Sequence, residues 1–202
     1  TAADNIAMGK SAMTANTTGT RNTAIGFEAY AASDTENDNI AIGYQAMTTN
    51  TAGGTLNIAI GNYALDALTS GDNNVAVGQN ALGANTTGSN NTGVGKDAMV
   101  ANTTGGSNAA LGVLSLSTNT DGANNTGVGY AALKLNSTGA RNTGLGRNAL
   151  TANTTADDNV AVGDLAMNNN TTGATNVAVG AQALEANTTA NDNIAVGYKA
   201  LE

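Results

Sequence analysis

Apolar and polar positions alternate along this chain in a pattern that returns every 17 residues. The pentapeptide Asn-x-(Ala/Gly)-aliphatic-Gly begins at Asn5, Asn22, Asn39, Asn57, Asn74, Asn91, Asn108, Asn125, Asn142, Asn159, Asn176 and Asn193, twelve copies in all. One interval, from Asn39 to Asn57, is 18 residues because Gly53-Gly54-Thr55-Leu56 carries an extra turn residue. A short fixed period held over the whole chain is the mark of a solenoid, where each unit buries its apolar groups only by stacking on its neighbours.

Numbering each unit from its Asn exposes the pattern. Position 1 is Asn and position 5 is Gly in every copy, as in Asn22 and Gly26, Asn74 and Gly78, Asn142 and Gly146. Position 2 is β-branched except at Ala109, position 3 is Ala or Gly, and position 4 is Ile, Val, Leu or Met. Position 8 is Ala except at Ser115, and position 9 is Leu or Met except at Tyr30. None of these seven positions carries a charge in any copy. The pattern therefore predicts seven internal positions and a polar skin.

Frequent Gly and β-branched residues, with a unit this short, exclude a helical-hairpin repeat. Alternation over positions 2 to 4 is the period of a strand. Each unit reads as a first strand at positions 1 to 4, a Gly turn, a second strand at about positions 7 to 11, and a turn that is most often Asn-Thr-Thr-Gly. Stacked units pair like with like in parallel ladders, and eleven steps of about 4.8 Å give a rod on the order of 50 Å long. The expected architecture is all-β: a parallel β-roll of twelve coils forming one array over residues 1–202.

Several residue choices follow locally. Gly at position 5 suits a turn with positive φ, or a backbone packed too closely for a Cβ. Asn at position 1 suits a stacked amide ladder bonded to the next rung or to its own turn. Both faces of the first strand are apolar, although a two-sheet roll needs only one buried face. The outer face is thus expected to be covered by another copy of the chain.

Composition narrows the function classes. Cys, His, Pro and Trp are all absent. This removes disulfides, thiolate nucleophiles, imidazole bases and the usual transition-metal ligands. A net charge of −8 argues against binding a phosphate backbone or an anionic membrane surface. No apolar run approaches the roughly 20 residues of a membrane span, and no signal-peptide pattern opens the chain.

The units Asn22-Thr-Ala-Ile-Gly26 and Asn74-Val-Ala-Val-Gly78, with their ten partners, resemble the head repeats of YadA-like trimeric autotransporter adhesins. Similar Asn-Thr-Ala-Ile-Gly-x-x-Ala-Leu arrays occur in phage tail-fibre-like proteins. The resemblance covers essentially the whole chain. It implies a left-handed roll, a homotrimer joined through the inner strands, and a place on a cell or virion surface. Here the unit is longer by the Asn-Thr-Thr-Gly turn, and Ala-Leu or Ala-Met replaces a more polar second strand. Without visible caps at either end, the array is expected to be a fragment of a longer fibre or a unit stacking end to end.

The expected function is structural and adhesive, with variable residues displayed on a rigid rod. Candidate surface contacts are Phe27, Tyr44, Tyr130 and Tyr198 at position 6 and Tyr63 at position 7, aromatics able to stack on a glycan or enter a receptor. The plainer alternative is that they cover neighbouring aliphatics at a coil corner. A second function class is binding of ice or a crystal surface by threonine ladders at Thr17, Thr86, Thr103, Thr154, Thr171 and Thr188, beside Thr18, Thr87 and Thr104. An enzyme or a Ca²⁺ loop would draw on Asp157-Asp158 or on Asp34, Glu36 and Asp38. These acids do not recur from coil to coil and read as solvated turn residues, so no catalytic, cofactor or metal site is expected. Asn16, Asn85 and Asn136 fall in Asn-x-Ser/Thr acceptor patterns, which turn chemistry explains equally well and which would decorate the skin in a glycosylating source.

Overall fold

In the computed structural model, which describes residues 2–202, every repeat contributes one three-residue strand to a single twelve-stranded parallel sheet. The strands are β1 (Ile6–Met8), β2 (Thr23–Ile25), β3 (Ile40–Ile42), β4 (Ile58–Ile60), β5 (Val75–Val77) and β6 (Thr92–Val94). They continue as β7 (Ala109–Leu111), β8 (Thr126–Val128), β9 (Thr143–Leu145), β10 (Val160–Val162), β11 (Val177–Val179) and β12 (Ile194–Val196). Their spatial order is their chain order, and like positions pair with like, from Ile6 beside Thr23 to Val179 beside Val196. This is the β-solenoid that the period requires. No helix among the described residues is long and apolar enough to cross a membrane.

The interior is one side chain thick. At position 3, Ala24, Ala76 and Ala161 are fully buried, as are Ala29 and Ala81 at position 8 and Met47, Leu82 and Leu150 at position 9. A Cβ on Gly93 would stand 3.3 Å from Cγ of Leu82, so the position-9 side chain of one coil presses on position 3 of the next. Only Ala or Gly leaves room for it. Positions 2 and 4 point the other way, onto the outer face expected to be covered by another copy. They are half-buried to exposed in most coils, with Leu111 42% and Leu145 45% exposed.

The second strand does not form. Positions 7 and 9 both take the left-handed conformation, as at Asn80 (φ 59°) and Leu82 (φ 53°). The residue before each Asn does likewise, as at Asn73 (57°) and Arg141 (57°). The physical reason is the adjacency of positions 8 and 9. Both side chains are buried, whereas successive side chains of a strand point to opposite faces. Turning the backbone at 7 and 9 brings both inward while the amides still bond along the rod. Leu82 N donates to Ala98 O (2.9 Å), and Asn80 N donates to Asn62 O (3.0 Å).

Gly78 at position 5 has φ +137°, and a Cβ there would lie 2.5 Å from the Gly95 carbonyl oxygen of the next coil. Both expected reasons for glycine hold at once.

Candidate functional site

Two columns of asparagine run through the rod. At position 1, each side-chain oxygen accepts the backbone N–H of the next coil's Asn, as in Asn22 N to Asn5 Oδ1 (2.8 Å) and Asn159 N to Asn142 Oδ1 (3.0 Å). The amide nitrogen donates to the coil's own closing turn, as from Asn74 Nδ2 to Gly88 O (2.9 Å). The position-1 ladder therefore bonds both the next rung and its own turn.

Sequence reasoning missed the second column, at position 12. There Asn102, Asn119, Asn136, Asn153 and Asn170 are fully buried, and each Nδ2 donates to the Oδ1 of the preceding coil's Asn at 2.7–3.2 Å. Its signal is the recurring Asn of Asn-Thr-Thr-Gly, which turn chemistry also accounts for. Burial also corrects the expectation of a decorated skin, because Asn85 and Asn136 lie inside.

The position-12 column fails at Ser33 and Leu68. Three buried polar atoms are left without a partner, Asn16 Oδ1, Ser33 Oγ and Asn50 Oδ1, all beside these interruptions. Tyr30 partly fills the gap: its hydroxyl accepts from Asn39 Nδ2 (2.7 Å) and Asn50 Nδ2 (3.4 Å), and burial pushes its pKa up to about 12. Glu36 is buried rather than solvated, and its carboxylate accepts from the backbone N–H groups of Asp34 (2.9 Å), Thr35 (3.0 Å) and Gly53 (3.1 Å). It ties the 18-residue coil to the coil before it.

The aromatic candidates divide. Phe27 and Tyr44 stack with centroids 5.3 Å apart and planes 8° from parallel, and Tyr63 meets Tyr44 edge-on at 5.4 Å. The Lys10 ammonium lies 5.7 Å from the Phe27 centroid. These ring faces are largely occupied by one another, so the trio is a brace along one edge of the rod. It spans coils two to four, the coils in which the inner Asn column is interrupted. Tyr130 and Tyr198 belong to no such stack and are exposed. Replacing Tyr44 by Ala, which removes both contacts, is expected to speed amide exchange in coils two to four by about threefold to tenfold, the scale of such aromatic pairs. Tyr130→Ala should leave exchange unchanged, and equal effects of the two would refute the brace.

The threonines at position 13 look inward along the rod. Thr86 donates to Thr103 O (3.1 Å), Thr103 to Thr120 O (3.1 Å), and Thr154 to Thr171 O (3.1 Å). Their hydroxyls serve coil stacking, leaving position 14, with Thr18, Thr87 and Thr104, as the exposed column.

Of the other candidate acids, Asp34 accepts from the Thr17 hydroxyl, and Asp38, Asp157 and Asp158 are paired with arginines on the surface. Arg21 holds Asp38 (2.5 Å), Arg141 holds Asp158 (2.6 Å) and Asp157 (3.1 Å), and Arg147 holds Asp164 (2.8 Å). The hydrogen bond from Arg141 keeps Asp158 below the usual carboxylate range, as that from Arg21 does for Asp38. Any stabilisation from these pairs is present at neutral pH and is lost as the pH falls through the carboxylate range. Among the described residues there is no pocket, and no group of three or more acidic side chains is placed to hold a metal ion. The surface features available to a partner are the aliphatic strand face, the aromatic edge and the exposed threonine column. Searches against protein-family models, curated proteins and solved structures find no match to the chain.

Proposed function

We propose that this chain is a structural and adhesive rod, a module of a cell-surface adhesin or phage tail fibre, that associates with copies of itself through the outer face of its sheet. The observation that carries the reading is the face at positions 2 and 4, aliphatic except for Thr23, Thr92, Thr126 and Thr143 in the position-2 column. It runs the length of the rod, and Ile60, Val94, Leu111, Leu145 and Val179 are exposed on it. Contiguous exposed apolar surface of this extent marks an interaction site. Three residues across and twelve rungs along give a footprint of about 500 Å². A standard interface needs about 800 Å² per partner, so pairing of two flat faces is marginal. Three chains around one axis also cover the rims of the face, which favours a trimer.

Such a rod acts mechanically, holding variable edge residues at a distance from its base. Tyr130, exposed and outside any stack, is its best contact for a glycan or a surface receptor, followed by Tyr198, whose ring has the Lys199 ammonium 5.9 Å from its centroid. The reading is non-enzymatic and places the chain outside the cell or on a virion. The inward bonding of the position-13 threonines favours this reading over an ice- or crystal-binding one.

Light scattering over a range of concentrations tests it. A mass of three chains is expected, reduced to one chain by Leu111→Glu with Leu145→Glu, which alters only outward positions. A wild-type chain that stays monomeric at every concentration would rule out the association.

A further inference from the structure

The acceptor pattern Asn-x-Ser/Thr recurs in two registers of the coil, with one further copy at position 11, and the fold treats the two recurring registers oppositely. In the first register the Asn is at position 12. The amides of Asn85, Asn102, Asn136, Asn153 and Asn170 are buried in the inner column, while the threonines two residues on, such as Thr87 and Thr104, face solvent. Amide and hydroxyl lie on opposite sides of the backbone. In the second register the Asn is at position 17 and the threonine at position 2, as in Asn90-Asn91-Thr92 and Asn124-Asn125-Thr126. The left-handed turn at Asn90 and Asn124 sends the middle Asn91 and Asn125 inward, where they are fully buried, and leaves Asn90 and Asn124 on the outside. Asn90 and Asn124 are exposed, Thr92 is half-buried and Thr126 exposed, and their side chains make no hydrogen bond among the described residues.

We propose that Asn90 and Asn124 are N-glycosylation sites of the folded rod, and that the buried position-12 sequons are not. The donor would be a lipid-pyrophosphate-linked oligosaccharide. Its anomeric carbon bonds to Nδ2, the bond from that carbon to the pyrophosphate oxygen breaks, and the lipid pyrophosphate leaves with the electron pair. The amide proton passes to a base of the transferase. The other exposed match, Asn169-Asn170-Thr171, differs because the Thr171 hydroxyl is already donated to Thr188 O at 2.9 Å. Arg occupies position 17 before the other two strands that begin with Thr, at Arg21 and Arg141, so those coils lack the pattern. Thr92 and Thr126 lie at position 2, on the face through which copies are proposed to associate, so the sites belong to the chain before it associates. Use of these sites in the source rests on the proposed surface location; their competence in the single chain does not.

The folded chain, made without glycan and held as single chains by L111E with L145E, is incubated with an oligosaccharyltransferase and its lipid-linked donor, and modified residues are mapped by mass spectrometry. Modification is expected at Asn90 and Asn124, lost separately with T92A and T126A, and gained at a third position with R141N, which removes only the surface ion pairs to Asp157 and Asp158. An unmodified folded chain, when short peptides spanning the same residues are modified, would overturn the assignment. So would modification of the buried position-12 asparagines in the folded chain. Competence in the reaction with bare asparagines on protein from its source leaves the assignment standing and counts against the surface location.

Discussion

Gly146→Ala is expected to cost about 3 kcal/mol or more and to disrupt the coils on either side of β9. Two effects add at this position. Its φ of +140° is one that residues with a side chain rarely adopt, a strain of about 1–3 kcal/mol. The new Cβ would also run into the carbonyl of Gly163 in the next coil. Relief needs the ladder to spread, and every coil above would have to follow. Gly53→Ala separates the two terms, because Gly53 has φ +103° with nothing within 4 Å of a built Cβ. It should show the strain alone, about 1 kcal/mol. Urea denaturation of both variants checks this, and equal losses would show that close packing is not what excludes a side chain at position 5.

The second large effect is expected from Asn142→Ala, at about 2–4 kcal/mol. Its Oδ1 is the acceptor for the buried backbone N–H of Asn159, and its Nδ2 donates to Ala156 O (2.7 Å). The carbonyl keeps a second donor, Asn153 Nδ2 (3.1 Å), but the N–H of Asn159 is left unpaired in the interior. An unmade buried hydrogen bond costs about 1–3 kcal/mol, and the lost donor adds to it. Asn136→Ala, in the other column, should cost about 1–2 kcal/mol, since it orphans a side-chain oxygen of Asn119 and no backbone group. The chain already contains the comparison. Position 12 becomes Ser33 and Leu68 in two coils, while position 1 is Asn in all twelve. A smaller loss for Asn142→Ala than for Asn136→Ala in the same titration would refute this account of why only position 1 is invariant.

These two columns show how far the repeat could be read directly. Asn142 and Gly146 stand out as invariant, and the physical roles expected of them, an amide ladder and a turn that admits no side chain, are the ones found. Asn136 was hidden because Asn in a turn needs no burial to be explained. The adjacency of Ala149 and Leu150 was a legible warning against a second strand, since a strand cannot bury two successive side chains. The aromatic edge was visible as Phe27, Tyr44 and Tyr63, but their mutual stacking depends on which ring each coil sets above the next.

The sequence by itself determined the period, the parallel sheet of first strands, its in-register pairing and the identity of its small-residue layer, because a repeat of this regularity can satisfy its backbone and bury its apolar groups only by stacking like on like. That the second stretch turns instead of forming another strand was decided by the structure. Only the tertiary structure decided which side of the strand is inside. Alternation states that positions 2 and 4 face away from position 3, and it is equally consistent with either face being the core. The answer came from the opposite wall of the coil, where Leu82 and its counterparts lie so close to position 3 that nothing larger than Ala fits. That closeness turns the aliphatic columns outward and leaves them as the surface through which this rod can meet a partner.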